Sequence, residues 1–159
     1  MNLSAKYDIE APVDFVYREL TDFQAWEHTA MRRGAEVSRV DRRATPGPGM
    51  EWQIAFPFRG KVRKARLQLA AAKPTSHITV GAVTKMVDGT LAFDLLDLAA
   101  NRTRVEVRMI AKPKTLAARI YVQTLKLGRR KLEANFAQKV AQFAVEMEDR
   151  HRRASAKTV

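Results

Sequence analysis

Met50-Glu51-Trp52-Gln53-Ile54-Ala55-Phe56-Pro57-Phe58-Arg59-Gly60-Lys61-Val62-Arg63-Lys64-Ala65-Arg66-Leu67-Gln68-Leu69 reads as two strands folded back on one another. A two-residue turn at Arg59-Gly60 pairs Phe56 with Arg63, Ile54 with Ala65, Trp52 with Leu67 and Met50 with Leu69 on one face. The opposite face then carries Glu51, Gln53, Lys64, Arg66 and Gln68. A slip of one residue would turn the apolar side chains into water, so the pattern specifies both the register and an antiparallel sheet with one wet face.

The alternation continues toward the C-terminus. With Lys73-Pro74-Thr75-Ser76 as a loop, Ala71 pairs with Ile78, Leu69 with Val80 and Leu67 with Ala82, and His77 and Thr79 fall outside. Either Asp88-Gly89 or Thr84-Lys85 makes the next turn, and both choices keep the faces unchanged. A loop at Ala99-Ala100-Asn101 pairs Leu95 with Val105, Phe93 with Val107 and Leu91 with Met109. Beyond Lys112-Pro113-Lys114 the period becomes helical: Tyr121, Leu125, Gly128, Leu132, Phe136, Val140, Phe143 and Met147 predict one amphipathic helix over about 115–150. Gly128 inside it costs about 1 kcal/mol relative to Ala, which marks a kink or a close contact.

Toward the N-terminus, a weak strand (about 35–42) precedes the loop Thr45-Pro46-Gly47-Pro48-Gly49. Leu3, Ala5, Tyr7 and Ile9 alternate with polar residues as a half-buried strand. Pro12 suits a first helical turn, and Val13, Val16, Tyr17 and Leu20 follow at helical spacing. Asp22 can cap a second short helix bearing Phe23 and Trp26, with Gly34 closing it. The fold class is therefore α+β: a seven-stranded curved antiparallel sheet around a long C-terminal helix, with two short helices after strand one. Residues 1–150 form a single domain, and 151–159 read as a basic, disordered tail.

Length and charge bound the rest. At 159 residues the chain can bury one real core, and it has no cysteine, which removes disulfides and thiol chemistry. No apolar run is long enough to span a bilayer and no export signal opens the chain, so a cytoplasmic address is the default. The net charge is +12, of which 112–159 hold 12 Lys/Arg against 4 Asp/Glu, so anionic partners are favoured.

Ile9-Glu10-Ala11-Pro12-Val13-Asp14-Phe15-Val16-Tyr17 with Thr21-Asp22-Phe23 and Trp26, then Phe58-Arg59-Gly60-Lys61, then Asn101-Arg102-Thr103-Arg104-Val105 carry a resemblance. Over about residues 3–150 the chain resembles the helix-grip domains of the START/Bet v 1-like (SRPBCC) superfamily, in its polyketide cyclase/dehydrase-like branch. The resemblance implies a cavity between the concave sheet and the long helix that takes lipids, quinones, sterols or polyketides, or hosts cyclisation chemistry. Read bottom-up, the residues facing such a cavity are Trp52, Ile54, Phe56, Leu67, Ile78, Leu91, Phe93, Val107 and Met109 from the sheet, with Tyr121, Leu125, Leu132 and Phe136 from the helix.

Polar groups on that face are few. Arg63 falls beside Phe56, where a cation needs a partner or a route to water, and it is the candidate anchor for an acidic headgroup. Tyr7 and Tyr121 offer hydroxyls, and His28 offers an acid or base from the helical lid. His28, His77 and His151 lack ligand spacing, so no metal and no cofactor are expected. Asp94 and Asp97 read as solvated edge charges.

Non-catalytic binding of a hydrophobic small molecule, as carrier or sensor, is therefore favoured. A cyclase/dehydratase-type enzyme using Arg63, His28 or Tyr121 is the alternative, and an interaction module acting through the basic surface is the third. Peripheral contact with an anionic membrane suits the charge. Nucleic acid is not an expected partner, because neither a recognition element nor exposed stacking aromatics is seen. The sequence sets no oligomeric state.

Overall fold

The computed structural model describes residues 1–157. β1 (Asn2–Ile9) is followed by α1 (Val13–Leu20) and α2 (Phe23–Arg32), then β2 (Glu36–Arg39), β3 (Glu51–Phe58), β4 (Lys61–Lys73), β5 (His77–Val83), β6 (Val87–Ala99) and β7 (Arg102–Pro113). Two helices, α3 (Leu116–Leu127) and α4 (Arg129–Lys157), complete the chain. The sheet has seven strands in the order β1-β7-β6-β5-β4-β3-β2, a meander closed by the return of β1 onto β7. Every neighbouring pair is antiparallel.

The β3–β4 register is the one the alternation predicts, with Trp52 opposite Leu67, Ile54 opposite Ala65 and Phe56 opposite Arg63. Arg59 (φ 52°) and Gly60 (φ 75°) both take left-handed conformations, as a two-residue hairpin turn requires. β6 and β7 also pair as expected through Leu95–Val105, Phe93–Val107 and Leu91–Met109. Asp22 Oδ1 accepts the N–H of Ala25 at 3.2 Å, and Gly34 (φ 92°) ends α2.

Three expectations change, and one turn left open is settled. Ala72, not Ala71, faces Ile78, because Thr75 (φ 59°) shortens the loop to three residues and a bulge between Leu69 and Ala71 restores the register. Asp88-Gly89 lies within β6, opposite Val83 and Ala82. The turn is instead built by the Thr84 hydroxyl, which accepts the N–H groups of Met86 (3.2 Å) and Val87 (2.9 Å). The C-terminal helix is two helices, broken at Gly128. α4 is helical through Lys157 where a tail was expected from 151. The His151 ring packs edge-on against Phe15 at 4.9 Å, Arg150 reaches Glu19 at 3.3 Å, and Arg152 pairs with Asp149. Thr158 and Val159, the last residues of that expected tail, lie outside the described residues.

Asp41 organises the long connection between β2 and β3. Its carboxylate accepts Arg39 Nε and Nη2 (2.8 and 3.0 Å) and the backbone N–H groups of Glu51 (3.0 Å) and Arg43 (2.9 Å). The hydrogen bond from Arg39, then that from the Glu51 backbone, hold this carboxyl far below the usual carboxylate range. A depressed folded pKa contributes stability above the unfolded value of about 3.9, and that stability is lost as pH falls toward the folded value. Asp41→Asn is therefore expected to lower the melting temperature at neutral pH and to flatten its decline below about pH 4. Parallel melts of both proteins across the acid range check this; an unchanged acid limb would assign the decline to other carboxylates.

Candidate ligand groove

Burial along the concave face of the sheet follows a gradient. In each of β3 to β7 the inward residues near one end are sealed: Trp52, Leu69, Ile78, Leu95 and Val105. Nearer the other end of the same strands, Ile54, Phe56, Leu67, Leu91, Phe93 and Met109 face the same way and stay only half-buried. The helices show the same split. Val140, Ala144 and Met147, late in α4, join the sealed core with Ile9, Val16 and Leu20, whereas Tyr121, Leu125, Leu132 and Phe136 remain half-buried.

α4 takes part in both regions. Its later turns dock on β1 and α1, where the Glu10 N–H donates to Glu148 at 3.0 Å. Its first turns border a hollow of about 540 Å³ lined by Asn2, Leu3, Ser4, Arg129, Arg130, Glu133, Ala134 and Ala137, with Leu3 itself buried. The total accessible surface is 10756 Å², against roughly 8,000 Å² for a compact monomer of this mass. The concave face thus divides into a sealed part and a part whose inward apolar side chains stay half-buried.

Arg63 lies in the open end, opposite Phe56 on the inward face, while Lys64 beside it is exposed. Its Nε is buried and has no hydrogen-bond partner among the described residues, and Nη1 lies 3.5 Å from Met86 Sδ, a weak acceptor. A buried guanidinium N–H without an oxygen partner is a standing cost that an anionic group would relieve. Arg59 was read in the sequence as a turn residue alone. Its guanidinium covers the Tyr121 ring at 4.1 Å, closer than its own neighbour Phe58 at 5.8 Å, and so ties the hairpin tip to α3. No local signal joins two residues so far apart in sequence.

The remaining candidates are distributed differently. Trp52, Ile78 and Val107 sit in the sealed core; Trp52 Nε1 donates to Glu27 at 2.9 Å and its ring meets Phe23 at 5.5 Å. His28 borders a separate hollow of about 660 Å³ with Glu19, Asp22, Arg32 and Arg150, to which no inward sheet residue contributes. Asp94 is not a free edge charge. On the convex face it bonds His77 Nδ1 and Arg108 Nη2, each at 2.6 Å, while His77 Nε2 shares a hydrogen with Thr79. Burial opposes ionisation of Asp94, but the bonds from His77 and Arg108 prevail and hold its carboxyl below the usual range.

Comparison with solved structures bears on this architecture. The backbone matches the Zhui aromatase/cyclase from a Streptomyces species with a TM-score of 0.65, at 14% identity, over 94% of each chain. This is the START-like helix-grip fold. A START superfamily protein from Mycobacterium smegmatis shares the helix grip with a TM-score of 0.55 at 13% identity, over 86% of this chain and 97% of that one. The di-domain ARO/CYC StfQ of steffimycin biosynthesis matches at 0.67 and 15% identity, over 98% of this chain and 51% of its own. No protein-family model and no curated sequence matches this helix-grip chain. Among the described residues no helix is long and apolar enough to cross a membrane.

Proposed function

We propose that the protein binds a small, largely apolar molecule bearing an acidic group in the groove, as a carrier or sensor. The observation that carries this reading is Arg63: a buried guanidinium nitrogen without a partner on an otherwise apolar, half-open wall. Apolar walls with a few placed polar groups are the ordinary composition of small-molecule sites. Arg63, with Arg59 against Tyr121 nearby, makes a set suited to holding an acid more than to moving protons. Cyclase-type chemistry is the second reading, supported by the likeness to two aromatase/cyclases.

A ligand that binds only the folded state raises the melting temperature. A long-chain fatty acid should therefore raise it well above the shift given by the alcohol of the same chain length. Equal shifts would leave an apolar groove without an acid anchor. No shift with either probe, nor with aromatic acids, would overturn the binding reading.

A further inference from the structure

The total charge hides a segregation. Residues 52–87 and 107–132 together hold 15 Lys/Arg and no Asp/Glu. The first stretch is most of β3 to β5; the second is the end of β7, all of α3 and the start of α4. The contact of Arg59 with Tyr121 brings the two together at the open end of the molecule. Four of these cations meet acids from outside the two stretches, Arg66 with Glu51 and Arg108 with Asp94 at 2.6 Å each, Lys114 with Asp88 at 3.1 Å and Arg129 with Glu133 at 2.7 Å.

The same end exposes aliphatic side chains. At 100° per residue, Leu116, Ile120 and Leu127 fall within about 40° of one line along α3. They are 73%, 60% and 90% exposed, while Ala118 and Val122 on the opposite side are buried. α3 is thus apolar on two sides, one packed against the protein and one bare. A shallow hollow of about 370 Å³ runs along the bare side between Arg119, Ile120, Gln123, Thr124 and Leu127. At the adjoining hairpin tip Val62 is 71% exposed and Phe58 47%.

Nucleic acid would satisfy the cations but offers nothing to three aliphatic side chains in a row. An anionic bilayer satisfies both features. Its headgroups meet Arg119, Lys126 and Arg129–Lys131, and the aliphatic stripe enters the boundary between headgroups and acyl chains. With 12 residues, α3 is too short to span a bilayer and would lie in its plane. We infer that the outer face of α3 and the β3–β4 hairpin tip form a docking surface for an anionic lipid bilayer, with Leu116, Ile120 and Leu127 as the inserted residues. This goes beyond the groove reading, since docking requires no occupant in the groove.

The test is co-sedimentation of the full chain with phosphatidylcholine vesicles, with and without phosphatidylserine, at low and high salt. Binding is expected to require phosphatidylserine and to weaken with salt. Replacing Ile120 and Leu127 together by Gln should reduce it at least about tenfold with the melting temperature unchanged, because both side chains are exposed. Arg119→Gln should reduce it roughly fivefold. Leu96→Gln, at an exposed position on the sheet (54%), should change nothing. Absence of binding, equal binding to pure phosphatidylcholine, or full binding by the double variant would overturn the docking surface. So would tighter retention on duplex DNA that ignores the double substitution, which would assign the surface to nucleic acid. The fatty-acid melting shift of the double variant separates the two readings: it should persist when vesicle binding is lost.

Discussion

Trp52→Ala is expected to destabilise the protein by about 3–5 kcal/mol, the range for truncating a packed aromatic, whereas Phe93→Ala should cost about 1–2 kcal/mol. Both are large inward-facing aromatics on the sheet, so their intrinsic transfer terms are comparable. Their surroundings differ. Trp52 is 6% exposed, lies against Phe23 at 5.5 Å and donates its indole N–H to Glu27 at 2.9 Å. Its removal leaves a cavity in the sealed end and strips a half-buried carboxylate of its partner. Phe93 is half-buried, so part of its ring already meets solvent and truncation forfeits less. Urea denaturation of the two variants, with the slope of each transition held to the parent value, measures the difference. Equal losses of the full size would mean that the sheet is sealed along its whole length, and the groove would go with it.

Arg63→Met is the second large effect, and it falls on binding instead of folding. Met keeps the length and the apolar stem but removes the guanidinium, so a ligand carboxylate loses a charge-assisted hydrogen bond worth about 1.5–3 kcal/mol. Affinity for a fatty acid should therefore fall roughly 10- to 150-fold, while that for the matched alcohol should hold. The variant should also be at least as stable as the parent, because the unpartnered Nε of Arg63 no longer has to be kept from water. Lys64→Met, one residue on and exposed, supplies the control, with neither effect expected. Titration calorimetry with both probes decides the matter. Equal losses for acid and alcohol would make Arg63 a support of the wall, not its anchor.

What the sequence determined by itself was the arrangement of faces. Strand periodicity is two, so once Arg59-Gly60 turns the chain, Phe56, Ile54 and Trp52 must share a face with Arg63, Ala65 and Leu67, and a slip of one residue is forbidden by burial. The same logic placed Leu91, Phe93 and Leu95 opposite Met109, Val107 and Val105 and put Arg63 on the inward side. Local chemistry was enough for Asp22 and Gly34 as the ends of α2.

Where along those faces the protein is closed was decided by tertiary structure alone. Trp52 and Phe93 are equivalent in pattern, as are Leu132 and Met147, yet one of each pair is sealed and the other half-buried. The sealed side chains are those that meet the later turns of α4 and α1, which are held in place by contacts between residues as distant as Glu10 and Glu148. Asp88-Gly89 lost its turn to Thr84 for a related reason. Lys114 Nζ binds both Asp88 Oδ1 and the Thr84 carbonyl, and β7 holds Asp88 and Gly89 in the ladder opposite Lys112 and Ala111. A turn preference worth a fraction of a strand pair yields to the sheet that surrounds it, because long-range pairs gain burial that local propensity cannot match.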